Sequence, residues 1–182
     1  MTESPGSEPE RAFDDHEAFR RVTDPTPDGE HERAAAYAVT TTAFDGTAAV
    51  PAASAAQPTY ELVVRTPTLE AATSDAVGTA VAVGWFETFR TRLGDAPGAT
   101  RHDVSLTAFG VAEDGNEVVV RYEFEESNPR IAAGVAKTFT EYVEGTYVEG
   151  VVPGYEYEGP VADLIGQASA QGSEGTAGGT PL

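Results

Sequence analysis

The 182-residue chain has no cysteine, a single lysine, one methionine and one tryptophan. Without cysteine there is no disulfide, no thiolate nucleophile and no Cys-ligated zinc or iron–sulfur site. No apolar run approaches the roughly 18 residues that a membrane-spanning helix needs. The acidic start MTESPGSEPE also lacks the basic and apolar regions of a signal peptide, so a soluble, cytoplasmic protein is expected. Basic charge is scarce too: 11 Lys and Arg stand against 30 Asp and Glu, for a net charge of −19 and a pI near 4.3. Such a chain repels phosphate backbones and anionic lipid alike unless it carries a local basic patch. Its nearest candidates, Arg20-Arg21 and Arg90 with Arg92, are flanked by acidic or polar residues. Neither nucleic acid nor a membrane is an expected partner.

The basic residues that remain are ten Arg and Lys137, while the acids are spread along the whole chain. In molar salt the Debye length shrinks to about 3 Å, so a carboxylate-rich surface stays hydrated without forcing the fold apart. Lys, with its long apolar stem, is a poor surface residue there. A salt-adapted cytosol is the expected setting, and the acidity then reports habitat rather than cationic substrates. Hyperthermophile proteins enrich Lys with Glu, unlike this chain.

Forty per cent of the residues are hydrophobic, enough for one real core at this length. Residues 1–10 and 170–182 are rich in Gly, Ser, Pro and Glu without an apolar period and are expected to be disordered tails around a single domain, 11–169. Ala12, Phe13, His16 and Phe19 suit one face of a short helix over about 10–22, and TDPTPDGEHER after it reads as a linker. A strand is expected at 37–44, ended by a turn at Asp45-Gly46, and 47–58 is ambiguous between strand and loop. YELVVRTPTL alternates as a strand. From Thr73 or Ser74 to Leu93, Val77, Val81, Trp85 and Phe89 recur every fourth residue, which predicts a helix stopped by Gly94. A hairpin about Asp114-Gly115 follows, whose second strand alternates strictly from Glu117 to Glu125 and so has one wet face. Asn128 and Pro129 then open a second long helix ending near Tyr147, and 161–168 reads as one or two last helical turns.

The two halves echo each other. Thr42-Ala43-Phe44, Glu61 to Arg65 and a helix with Gly84, Thr88 and Phe89 are matched by Thr107-Ala108-Phe109, Glu117 to Arg121 and a helix with Gly134, Thr138 and Phe139. Chance likeness among Val-rich strands accounts for the echo as well as a duplication does. Either way, the expected fold is α+β. It is a two-layer sandwich with an antiparallel sheet of four or five strands from two ββα units, covered on one face by two long helices, plus a short N-terminal helix.

No GxGxxG, Walker, HExxH, EF-hand or GxSxG motif is present. His16, His31 and His102 do not pair at ligand spacing, so no metal, cofactor or catalytic residue is assigned. Glu87 beside Trp85-Phe86, and Glu144 beside Tyr142, are the carboxylates whose aromatic neighbours could raise a pKa. In a chain with 30 carboxylates a solvated helix face is the ordinary reading. The densest unusual stretch is 142–159, YVEGTYVEGVVPGYEYEG, with four Tyr. So much apolar and aromatic surface either folds back over the core as a strap or forms a contact surface, and folding back is the commoner outcome. If exposed, Tyr147, Tyr155 and Tyr157 are its natural contacts. Trp85 on its helix stripe is most simply core.

The segments PTLEAAT, GWFETFRTRL, YVEGTY and GVVPGYEYEGPVADLI, within about residues 12–168, resemble a family of small haloarchaeal proteins, a domain of unknown function. GWFETF and VPGYEY are the most specific parts, and the 23–33 linker is longer than the family pattern. The resemblance implies a halophilic archaeal source, and it implies no activity and no site. The expected function is therefore a non-enzymatic protein-interaction domain, with a protein partner or a second copy bound by the wet sheet face or the Tyr-rich strap. The alternative is a small-ligand-binding domain or weak enzyme with a pocket between helices and sheet, lined by Trp85, Glu87, Tyr142 and Glu144.

Overall fold

Alternation of apolar and polar residues becomes a six-stranded, wholly antiparallel sheet, in spatial order β1-β2-β3-β4-β6-β5. The computed structural model describes residues 6–22, 33–51 and 56–174. In chain order the elements are α1 (Glu8–Asp14), β1 (Phe19–Val22), β2 (Arg33–Val39), β3 (Asp45–Pro51), β4 (Thr59–Pro67) and α2 (Thr79–Leu93). A 3₁₀ turn (Ala96–Ala99) leads to β5 (Leu106–Asp114), β6 (Glu117–Glu125), α3 (Pro129–Glu149) and α4 (Gly159–Glu174).

The strands β4 and β6 sit at the centre and set which face is dry. Tyr60 pairs with Phe124, Leu62 with Tyr122 and Val64 with Val120, all six buried, while Glu61, Val63 and Arg65 meet Glu123, Arg121 and Val119 on the other face. On the dry face Phe139 of α3 lies 5.0 Å from Tyr122 and 5.7 Å from Phe124, ring to ring. Phe13 of α1 packs there too, against Tyr37 and Tyr60. The second face carries the ion pairs Arg65–Glu117 (3.2 Å) and Arg121–Glu61 (3.5 Å), and part of it is covered, since Ala36, Ala49, Glu61 and Val119 are buried there.

The helix α3 is the anchor. Asn128 accepts hydrogen bonds from the Arg130 and Ile131 amides, Pro129 fills the first turn, and ten residues of the helix are buried. The helix α2 buries only Trp85, Phe89 and Leu93. It rests chiefly on α3 and touches the sheet at its C-terminal end, where Tyr122 Oη donates to the Leu93 carbonyl at 2.9 Å. The expected pair of helices side by side on the sheet is thus one helix on the sheet and one on that helix.

Other expectations need correction, each for a tertiary reason. The sheet has six strands, not four or five, because 19–22 and 45–51 both join it. The helix expected over 10–22 ends at Asp14. Phe19 reaches Phe13 (4.8 Å) by a reversal of the chain at His16, and residues 19–22 pair with β2. Glu8–Glu10, read as tail, are helical, with Ser7 and Glu10 forming a capping box. Residues 170–174, also read as tail, continue α4. Asp45-Gly46 is the start of β3 rather than a turn, the reversal being made by 40–44. The helix expected from Thr73 or Ser74 begins at Thr79, because Thr73 bridges to Tyr157 and the Ser74 amide donates to the Glu156 carbonyl. Residues 1–5, the linker 23–32, 52–55 and 175–182 lie outside the described residues. The echo maps in part: Glu61 to Arg65 lie in β4 and Glu117 to Arg121 in β6, each the last strand before a long helix, whereas Thr42-Ala43-Phe44 precedes β3 and Thr107-Ala108-Phe109 is inside β5.

Candidate functional site

Where α2 crosses the end of α3, four aromatic rings converge. Trp85 stacks on Phe89 (5.1 Å, 20° between planes) and meets Tyr147 edge-on at 5.2 Å, and Tyr147 also touches Phe89 and Phe44. The cluster forms because α2 offers aromatics at Trp85 and Phe89, four residues apart, and α3 answers with Tyr147. Burial is complete at Tyr147 and nearly so at Trp85, 7% exposed. Among the described residues neither the Trp85 Nε1 nor the Tyr147 Oη has a hydrogen-bond partner. Burial, first, pushes the Tyr147 hydroxyl well above its ordinary pKa, with nearby Tyr157 adding to the shift.

Above the indole lies an open groove of about 270 Å³. Ala80, Val81, Gly84 and Thr88 form its α2 wall, and Thr146, Gly150 and Val152 form the opposite wall, where α3 passes into the strap. A Cβ built on Gly150 would sit 3.7 Å from Trp85 Nε1, so the unpaired N–H lies beside the groove wall. The Thr88 hydroxyl is occupied by the Gly84 carbonyl at 2.8 Å, and Arg92 closes one end. The described lining contains no carboxylate, histidine or lysine, so the groove offers apolar contact and N–H donors rather than acid–base chemistry.

The residues singled out from sequence are dispersed around this place. Trp85 lines the groove. Glu87 is exposed on α2, accepting from Arg90 at 3.0 Å, and takes no part in the lining. Glu144 reaches the other way, its Oε2 accepting from the Ala43 amide at 2.7 Å. Tyr142 is half-buried, donates to the Arg92 carbonyl at 3.1 Å and lines a neighbouring depression with Thr138, Glu141 and Gly145. No cavity described brings Trp85, Glu87, Tyr142 and Glu144 together.

The Tyr-rich segment is tied down. The Glu158 amide donates to the Ala72 carbonyl at 2.8 Å, the Glu156 amide to Asp75 Oδ2 at 2.8 Å, and Tyr157 pairs with Thr73. Tyr157 Oη accepts from the Val152 amide (2.7 Å) and donates to its carbonyl, which fixes the bend of the strap. Tyr155 and Tyr157 are half-buried, and burial raises the Tyr157 pKa against the lowering effect of the Val152 bond. The segment serves as a strap whose first residues wall the groove. Nothing in the sequence reading marks Ala80 and Gly84 of α2, or Gly150 at the end of α3, as groove-forming. The spacing Ala80, Gly84, Thr88, one small side chain per helical turn, was the signal available.

Among the described residues no three His, Asp or Glu converge as a metal-binding group, and no helix is long and apolar enough to cross a membrane. His16 Nδ1 accepts from the Ala18 amide, and His102 is exposed. No curated protein and no solved structure gives a significant match to the chain. A family model described as a family of unknown function (DUF5813) matches residues 15–167, which include α2, α3 and the strap. The chain that builds the Trp85 groove therefore belongs to the DUF5813 family.

Proposed function

We propose that the chain is a non-enzymatic protein-interaction domain of a salt-adapted cytosol. It takes apolar side chains from an amphipathic helix of another protein into the groove between α2 and the strap. The observation that carries this reading is the open, largely apolar groove over the Trp85 ring, walled by the small residues Ala80, Gly84 and Gly150. The small residues along α2 support close approach of a second helix backbone. Val81, 37% exposed, is positioned to be covered. The ten-to-one ratio of Arg to Lys and the net charge of −19 support the high-salt setting.

A small apolar ligand is the second reading, favoured by the same apolar lining. The groove is open and, at about 270 Å³, sits at the small end of the range for ligand pockets. One or two inserted side chains suit it better.

The test uses the full chain in molar salt with a photoreactive residue at Val81, alone and combined with Gly84→Trp. A Cβ at Gly84 meets nothing within 4 Å, so the larger side chain fills the groove without an internal clash. One predominant cross-linked protein, lost in the Gly84→Trp chain, is the expected result. Cross-linking no stronger than from an exposed control at Glu70, or indifferent to Gly84→Trp, rejects the reading. A small molecule retained in native mass spectra and displaced by Gly84→Trp would favour the second.

A further inference from the structure

The two edges of the sheet are built differently. The edge strand β1 is four residues long and carries Arg20 and Arg21, the short, charged pattern that discourages further pairing. The other edge, β5, has nine residues, and from Leu106 to Ala112 it contains neither charge nor proline. No described strand pairs with its outer side. Phe109 is 39% exposed there, held in place by stacking on Tyr122 at 5.3 Å.

Register fixes what this edge presents. β5 returns into β6 through Gly115-Asn116, with Asp114 opposite Glu117 and Gly115 at φ +61°. In a two-residue hairpin the closing pair exchanges its hydrogen bonds, and inward and outward pairs alternate from there. The amides and carbonyls of Phe109, Val111 and Glu113 therefore face outward.

We propose that β5 pairs antiparallel with β5 of a second copy about a two-fold axis at Gly110, joining two sheets into one of twelve strands. In that register Phe109 faces Val111 of the second copy, and Val111 faces its Phe109, so two apolar pairs form on the helix-bearing side. Ala108 faces Ala112, and Gly110 faces itself, on the open side, where nothing bulky intervenes. Charge selects the antiparallel arrangement. Glu113 and Asp114 of the two copies separate to opposite ends, each toward the end of the partner strand that Arg101 and His102 precede, whereas a parallel pair would stack acid on acid. A two-fold pair also closes the edge, so assembly stops at two. The pairing does not involve the α2 groove and stands or falls separately from it.

The absence of cysteine makes the test specific. At the axis Gly110 falls in a non-hydrogen-bonded pair with its copy, Cα atoms about 4.5 Å apart, within the roughly 4.4–6.8 Å that a disulfide spans. A Cβ at Gly110 meets no other atom within 4 Å. The Asp114 positions would be eight residues out of register, about 27 Å apart. The full chain in molar salt is expected to rise with concentration from 19.0 kDa toward twice that mass by light scattering. Oxidised Gly110→Cys should form a covalent dimer and Asp114→Cys should not. Phe109→Lys should remain monomeric at every concentration with its far-UV circular dichroism unchanged. A mass of 19.0 kDa at every concentration, no link at 110, or equal linking at 110 and 114 overturns the proposal.

Discussion

The carboxylate of Glu144, in the middle of α3, accepts a 2.7 Å hydrogen bond from the backbone amide of Ala43, 101 residues earlier in the chain. It closes the loop between β2 and β3 onto the helix that covers the sheet. Since the bond is exposed, water can replace part of it, and Glu144→Ala is expected to cost about 1 kcal/mol or less. Glu144→Gln keeps an acceptor oxygen and should lie between the two in a urea titration, with Ala43 amide exchange faster only in the Ala variant. Equal damage from Gln and Ala would show that charge, not the hydrogen bond, is what matters at this position.

Close approach of α3 to the sheet depends on one small residue. A Cβ on Gly46 of β3 would lie 2.7 Å from Thr140 Cγ2, 3.0 Å from its Oγ1 and 3.1 Å from Val39 Cγ2. All three atoms belong to packed side chains with nowhere to retreat, so Gly46→Ala is expected to destabilise by roughly 1–3 kcal/mol. Thr140→Ala in the same chain removes two of the three contacts. The double variant should therefore be more stable than the sum of the singles implies, by on the order of 1 kcal/mol. Strict additivity in denaturant unfolding would contradict the close packing.

These two contacts also mark where reading by sequence stops. Local pattern was legible where it agreed with the tertiary fold: the alternation of β4 and β6, the Asn128-Pro129 start of α3, the Gly94 end of α2, the fold-back of the strap. It failed where a distant partner outbid a local preference. Gly46 beside Asp45 looks like a turn, yet it is glycine because Thr140 passes over it. Thr73 and Ser74 look like a helix start, yet their backbone is taken by the strap. At the site the large residues were legible and the small ones were not. Trp85 draws notice by its chemistry, whereas Gly84 and Ala80 matter through the space they leave open.

Stability should rise with salt. Thirty acidic against eleven basic side chains leave repulsion that is felt over about 10 Å at 0.1 M ionic strength and about 3 Å at 1 M. Screening also weakens exposed pairs such as Arg90–Glu87 and Lys137–Glu141, but each of these is worth only a few tenths of a kcal/mol. The net effect favours the folded chain, and the melting temperature should climb steadily between 0.1 M and 2 M KCl, in line with the proposed setting. A melting temperature that is flat or falls over that range would remove the support that composition gives to a salt-adapted origin.

High pH should unfold the chain before its buried tyrosines ionise. Tyr37 is fully buried, donates to the Glu10 carbonyl at 3.1 Å and accepts from Arg21 at 2.9 Å. Burial pushes its pKa up to about 12, the Arg21 bond opposing the shift. Tyr60, Tyr122 and Tyr147 are raised too, chiefly by burial. The folded state thus holds protons that the unfolded state releases near pH 10, so stability is unaffected below pH 10 and is lost as pH rises through 12. The tyrosinate absorbance of the four buried rings, Tyr37, Tyr60, Tyr122 and Tyr147, should appear together with the change in far-UV circular dichroism, in one cooperative step within that window. Tyr37→Phe removes one raised hydroxyl along with its two hydrogen bonds. It should be less stable at pH 8, yet lose less stability between pH 10 and 12 than the parent chain. Absorbance of all seven tyrosinates reached with the dichroism unchanged would mean that the buried hydroxyls are open to solvent and that the core packing described for Tyr37 does not hold.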